Sequence, residues 1–196
     1  MTTHRQQILD TAARLFASQG YLDTGINQLI DESEVARRTF YHHFPSKEDL
    51  GAAYLEGRSE EWLAVLRDAV ESRRSAAGVV RGIFEKVEEV AKATKFRGCS
   101  MLNMAAEFAQ SNSAMRARVK RAKEAQSALI ADVLGAMGVS NATARQVDVL
   151  LEGALVSAGA HLDVQPIRTA MQAALTLVDM DECGRDNRNS RPTKGT

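Results

Sequence analysis

Between Glu34 and Glu48 the chain carries no acidic residue, and in that interval stand Arg37, Arg38, Thr39, Tyr41, His42, His43 and Lys47. All of these side chains donate hydrogen bonds, which suits the acceptor edges of bases and the oxygens of phosphates. An arginine held bidentate on guanine O6 and N7 contributes about 1–3 kcal/mol of discrimination. Arg37 and Arg38 are therefore the candidate base readers, with Thr39 shared between core and groove and His42 facing outward beside them. Tyr41 has two compatible roles, packing its ring and donating its hydroxyl to a phosphate. Lys47 and Thr24 each stand at the start of a helix and are candidate phosphate contacts, which set position without reading sequence. His42 and His43 do not suggest a metal site. Adjacent helical side chains diverge by about 100°, and no cysteine or carboxylate cluster completes a ligand set. No metal and no cofactor are expected.

Such donors need a rigid support, and the segment TGINQLIDESEVARRTFYHHFPSKEDL (residues 24–50) supplies one. It reads as a helix, a tight turn, a second short helix and a capped third. Thr24 is the expected cap of the first, whose apolar face is Ile26, Leu29 and Ile30. Val35, Thr39 and Phe40 form the inward face of the second, and Pro45 stops it at or before Phe44. Ser46 with Asp49 reads as a capping box opening a long helix past Leu50, Tyr54 and Trp62. Upstream, Thr3 with Gln6 caps a helix over Arg5 to Ser18, with Ile8, Ala12, Leu15 and Phe16 on one face and Gly20 at its end.

The rest of the chain repeats the helical period. The pattern predicts helices over Ala76 to about Thr94, Ser100 to Ala109 and Met115 to Met137, then one capped by Asn141, and a last one from Gln165 to about Met180. The polar residues 181–196 read as a disordered tail. The short MLNMAAEFA segment carries Asn103 and Glu107 one turn apart among methionines, alanines and Phe108. Either this pair marks a solvated face, or it places polar groups in an apolar pocket that Met104 makes adaptable. Trp62, Phe84 and Phe108 are further candidate lining residues. The apolar content of Ala142 to Ala160 and Pro166 to Val178 would leave a monomer with an exposed patch, which a two-fold contact buries.

Composition narrows the classes. The net charge is zero, so no bulk attraction to nucleic acid or membrane operates. Residues 1–54 hold five Arg/Lys against seven Asp/Glu, and any DNA contact must come from placement. Two cysteines, Cys99 and Cys183, make neither a disulfide framework nor a metal knuckle, which suits reduced thiols in a cytoplasmic protein. Cys99 follows Arg97, but no resolving thiol lies near it in sequence. No signal peptide or membrane-spanning run is legible. Neither a Ser-His-acid arrangement nor a phosphate-cradling glycine loop is present, so an enzyme is not indicated. A helical adaptor that pairs without binding DNA is the alternative that the acidic head favours.

Residues Ile8-Leu9, Ala12-Ala13, Leu15-Phe16, Gly20, Thr24, Ile26, Val35, Tyr41, His43-Phe44, Lys47 and Leu50 fill, at matching spacing, the pattern of a known DNA-binding head. Over about the first 55 residues the chain resembles the TetR/AcrR family of transcriptional regulators. RGCSMLNMAAEF (residues 97–108) is similar to a body segment of some members. Glu34 departs from a common turn glycine, Ala36 from a serine cap, Arg38 from a second glycine and Ile30 from alanine.

The resemblance implies an all-α fold: a three-helix head with a helix-turn-helix at 1–45, a ligand-binding and dimerisation body at 46–180, and the tail at 181–196. It also implies a homodimer paired through the last two helices, a two-fold-related DNA operator and a small organic effector. On this reading the chain is a sequence-specific regulator and no enzyme, a repressor released from its operator by a small hydrophobic molecule. The turn at Glu34, lacking glycine, is expected to hold that residue in a left-handed conformation.

Overall fold

The computed structural model describes residues 3–93, 96–108 and 113–189, with 113 and 185–189 as backbone only. The described residues are all-α, with nine helices: α1 His4–Gln19, α2 Ile26–Glu32, α3 Arg37–His43, α4 Lys47–Val70, α5 Ala76–Ala93, α6 Ser100–Glu107, α7 Ser113–Ala136, α8 Asn141–His161 and α9 Gln165–Asn189. They gather into two compact units, residues 1–62 with 99–123 and residues 63–98 with 124–196. The division expected at residue 46 is thus not where the compact units part. Leu50 and Tyr54 of α4, Met101 and Met104 of α6, Phe108 just past its end, and Met115 and Val119 of α7 share one buried cluster with α1–α3.

Local signals built several helix ends. Thr3 Oγ1 accepts the Gln6 N–H at 3.2 Å, while the Gln6 amide turns forward to Asp10 instead of completing the box. Ser46 Oγ accepts the Asp49 N–H at 3.0 Å and donates to the Asp49 carboxylate at 2.7 Å, so α4 opens on a closed cap. Gly20 ends α1 at φ 94°, ψ 162°, in a region essentially reserved for glycine.

Three expectations are corrected. Gly25, not Thr24, is the N-cap residue of α2, because the Thr24 hydroxyl folds back onto the Gly20 carbonyl at 2.6 Å. Ser140, not Asn141, caps α8 by accepting the Thr143 N–H. α9 runs on to Asn189, past the expected stop near Met180, because polar residues without proline extend a helix already nucleated by packing. Residues 190–196 of the expected tail lie outside the described residues.

In the first unit the aromatic rings set the geometry. Phe16 meets Tyr21 and Tyr54 edge-on at 5.1 and 5.2 Å, and Tyr21 meets Phe108 at 4.9 Å. Offset contacts of this kind add about 0.5–1.5 kcal/mol beyond burial. The second unit packs α5 on α9 and α9 antiparallel to α8. Phe84, Ile83, Val147, Leu151, Ile167 and Val178 are buried there. Gly82 lets α5 approach the end of α4, since a Cβ at that position would lie 2.2 Å from the Ala69 carbonyl oxygen. Arg168 of α9 grips the Glu88 carboxylate through Nε and Nη2 at 2.6–3.1 Å, and Lys92 joins from the same helix as Glu88. Hydrogen bonds from Arg168 and then Lys92 hold the Glu88 carboxyl down at about 2.

Candidate DNA-binding surface

The turn between α2 and α3 spans residues 33–36 and is fastened from inside. Ser33 is buried, and its Oγ donates to the Ile30 carbonyl at 3.1 Å. Val35 plugs the turn into the core at 7% exposure. Glu34 stands between them at φ 54°, and its N–H reaches the Asp31 carbonyl at 3.3 Å. The left-handed conformation expected if the turn keeps the geometry that the family resemblance implies is therefore present, without a glycine to hold it.

α3 is anchored by Phe40, which is fully buried, and by Phe44 just past its end. With that face fixed, the helical period turns Arg37, Arg38, Tyr41 and His42 outward, and Thr39 is half-buried. The first residue, Arg37, donates from Nη2 to Asn27 Oδ1 at 2.9 Å. One of the two arginines is thus already oriented by α2, while Arg38 is exposed with no hydrogen-bond partner among the described residues. Tyr41 lays its ring edge-on to Phe40 at 5.7 Å and remains 38% exposed, so packing leaves part of the side chain at the surface. His42 and His43 lie 5.3 Å apart, ring to ring. Among the described residues no three His, Cys, Asp or Glu side chains are grouped to hold a metal.

Two candidate phosphate contacts take other positions. Thr24 is fully buried, its hydroxyl donating to Gly20 and accepting from Gln19 Nε2. Its side chain holds the α1–α2 turn and does not reach the surface. Lys47 is half-buried, with Nζ donating to the Leu22 carbonyl at 3.2 Å and standing 4.4 Å over the Tyr21 ring. Burial pushes its ammonium below the usual lysine range, against the pull of Glu107 and Asp23. Burial likewise raises the Tyr21 phenol to about 12, helped by Glu48 and Glu107.

Asn27 is a residue that the sequence did not single out. Its one signal is its place on the exposed face of α2, in that helix's first turn.

The residues expected to line a ligand pocket are distributed between the units. Phe84 is buried in the second. In the first, Met104 and Phe108 are buried in the core, Trp62 packs on that core partly exposed, and Asn103 is exposed on α6. The Glu107 carboxylate accepts the N–H groups of Tyr21 and Leu22.

Comparison with known proteins places this geometry among regulators. Residues 8–54 match the sequence profile of bacterial regulatory proteins of the tetR family. Residues 76–173 match that of the C-terminal domain of LmrA/YxaF-like transcriptional regulators. The chain is 27% identical over 158 residues to the HTH-type transcriptional regulator LmrA of Bacillus subtilis, covering 78% of this chain and 84% of that one. It is 28% identical over 181 residues to the uncharacterised HTH-type regulator YxaF of the same organism, covering 89% and 94%. The crystal structure of SCO4454, a TetR-family regulator from Streptomyces coelicolor, superposes with a TM-score of 0.80 at 26% identity, covering 89% of this chain and 95% of that one.

Proposed function

The chain belongs to the TetR family of bacterial transcriptional regulators, and on that premise we propose that it is a repressor released from its operator by a small hydrophobic molecule. That it is a DNA-binding regulator and not an enzyme follows from the family. The operator chemistry is our reading, and the outward face of α3, braced by buried Phe40, carries it. Arg38 reads a guanine directly. Arg37, held by Asn27, reads the adjoining step, and Thr39 and His42 flank them. Tyr41 and Lys47 take phosphates, Lys47 after leaving the Leu22 carbonyl.

The operator is two-fold symmetric because the regulator pairs through α8 and α9. On α8, Ala142, Gln146, Val149, Gly153, Val156 and Ala160 are all exposed, at alternating spacings of four and three that make a seam. Val149 and Val156 are 69% and 54% exposed. Beside the seam, Leu150 of α8 and Ala173 and Leu177 of α9 line an apolar concavity of about 700 Å³. A second copy of the chain covers this face.

Two recognition helices must meet major grooves about 34 Å apart, or a multiple of that, so an effector acts by favouring a state that misses this spacing. A hundredfold preference for that state corresponds to about 2.7 kcal/mol. Trp62 and Asn103 are the effector contacts we favour, since both reach the surface whereas Met104, Phe108 and Phe84 are buried in core. The test is footprinting on DNA upstream of the chain's own gene, followed by binding of Arg37→Ala and Arg38→Ala to the protected sequence. Each substitution is expected to cost about 1–3 kcal/mol on the operator and much less on random duplex. A double variant that binds the operator as tightly as wild type removes α3 from the interface.

A further inference from the structure

The N–H groups of Tyr21 and Leu22 follow Gly20 at the end of α1, and among the described residues no backbone carbonyl accepts from either of them. Both donate instead to one carboxylate far away in sequence. Glu107 Oε1 accepts from Tyr21 at 3.0 Å and Oε2 from Leu22 at 2.6 Å. Gly20 makes room for this carboxylate, since a Cβ there would lie 3.1 Å from Oε1. The φ of 94° at Gly20 excludes other residues on backbone grounds as well. The same turn is held from its carbonyl side by Lys47, and its Tyr21 ring rests on Phe108, the residue next to Glu107. All of these groups lie in the first compact unit. The turn leads in two residues to Thr24 and Gly25, from which α2 starts.

We infer that Glu107 is a positioning residue for DNA binding: its carboxylate, on the last turn of α6, fixes the α1–α2 turn and through it the angle at which α2 presents α3. Two charge-assisted hydrogen bonds to otherwise unpaired N–H groups form a strong and directional tie. A shift of α2 carries Asn27, and with it Arg37. The end of α6 thereby belongs to the DNA-binding head, although it lies more than 60 residues beyond α3. The inference rests on α2 and α3 forming the DNA-binding surface.

The experiment uses the full-length dimer, with the fraction active on the footprinted operator determined by stoichiometric titration. Affinity for operator and random duplex is measured against salt, and amide exchange at Tyr21 and Leu22 is followed by NMR or mass spectrometry. Glu107→Ala is expected to lose protection at those two amides and to weaken operator binding about tenfold per active dimer. The salt slope stays unchanged because no phosphate contact is removed. Glu107→Gln, which keeps one acceptor oxygen, falls between, and it decides the matter by the same readouts if Glu107→Ala does not fold.

Operator affinity within twofold of wild type despite exposed amides overturns the inference. So do amides that stay protected, or a salt slope that falls by about one. Arg38→Ala is the control that separates the two assignments. If it too leaves the operator affinity unchanged, the surface assignment has failed. If it weakens binding while the Glu107 variants do not, only the positioning role has failed.

Discussion

Replacing Glu34 by glycine tests whether the helix-turn-helix turn stores backbone strain. Glu34 adopts φ 54°, where an L side chain brings Cβ against the following carbonyl at a cost of about 1 kcal/mol. The side chain is exposed, so no packing is lost on its removal. Against the relief stands the greater freedom that glycine has in the unfolded chain, about 0.5 kcal/mol. The net gain is about 0.5 kcal/mol and no more than about 1. For a chain of 196 residues, 1 kcal/mol moves Tm by about 2–4 °C, so Glu34→Gly is expected to raise Tm by about 1–4 °C. The assay is thermal unfolding by circular dichroism at fixed protein concentration, because pairing makes Tm concentration-dependent. Glu34→Ala keeps Cβ and therefore the strain, and is expected to stay within about 0.5 kcal/mol of wild type. If alanine stabilises as much as glycine, the gain comes from removing the carboxylate and the strain argument is wrong. A lower Tm for glycine refutes it as well.

Val156→Glu places a charge in the exposed seam of α8, and sedimentation at micromolar concentration is expected to show monomer where wild type shows dimer. An unchanged dimer moves the interface off this face. Glu88→Gln removes the negative charge that Arg168 and Lys92 share, leaving one neutral acceptor oxygen. The folded Glu88 pKa, about 2, lies below the unfolded value of 4.5, so its contribution is fully present above about 4.5 and disappears as pH falls through about 2. Urea unfolding is expected to show wild type more stable than the variant by about 1 kcal/mol near neutral pH, the gap closing toward pH 2. A gap independent of pH contradicts the ion-pair origin.

What the sequence shows of this protein is what lies within one helical turn. The Ser46–Asp49 cap and the glycine end at Gly20 are each set by residues three or four apart, and both are where the spacing places them. The outward order of Arg37, Arg38, Tyr41 and His42 is legible for the same reason, since Phe40 fixes the phase of α3.

Thr24 fails at this same short range. A threonine before a helix has two carbonyl and N–H neighbourhoods to choose from, and here the backward bond to Gly20 wins over the forward cap.

Glu107 fails for the opposite reason. Its spacing from Asn103 pairs the two on a single face of α6, whereas its actual partners are Tyr21 and Leu22, 86 and 85 residues away. No local pattern marks a backbone turn as short of acceptors. Gly20 is the one trace of it, because a glycine at a helix end both stops the helix and leaves the next N–H groups pointing into space. A helix-ending glycine followed by uncapped N–H groups therefore calls for a remote acceptor, and a half-buried carboxylate on a short apolar helix is well suited to supply it. On that argument the polar residue on α6 is better explained by the head's backbone than by a ligand.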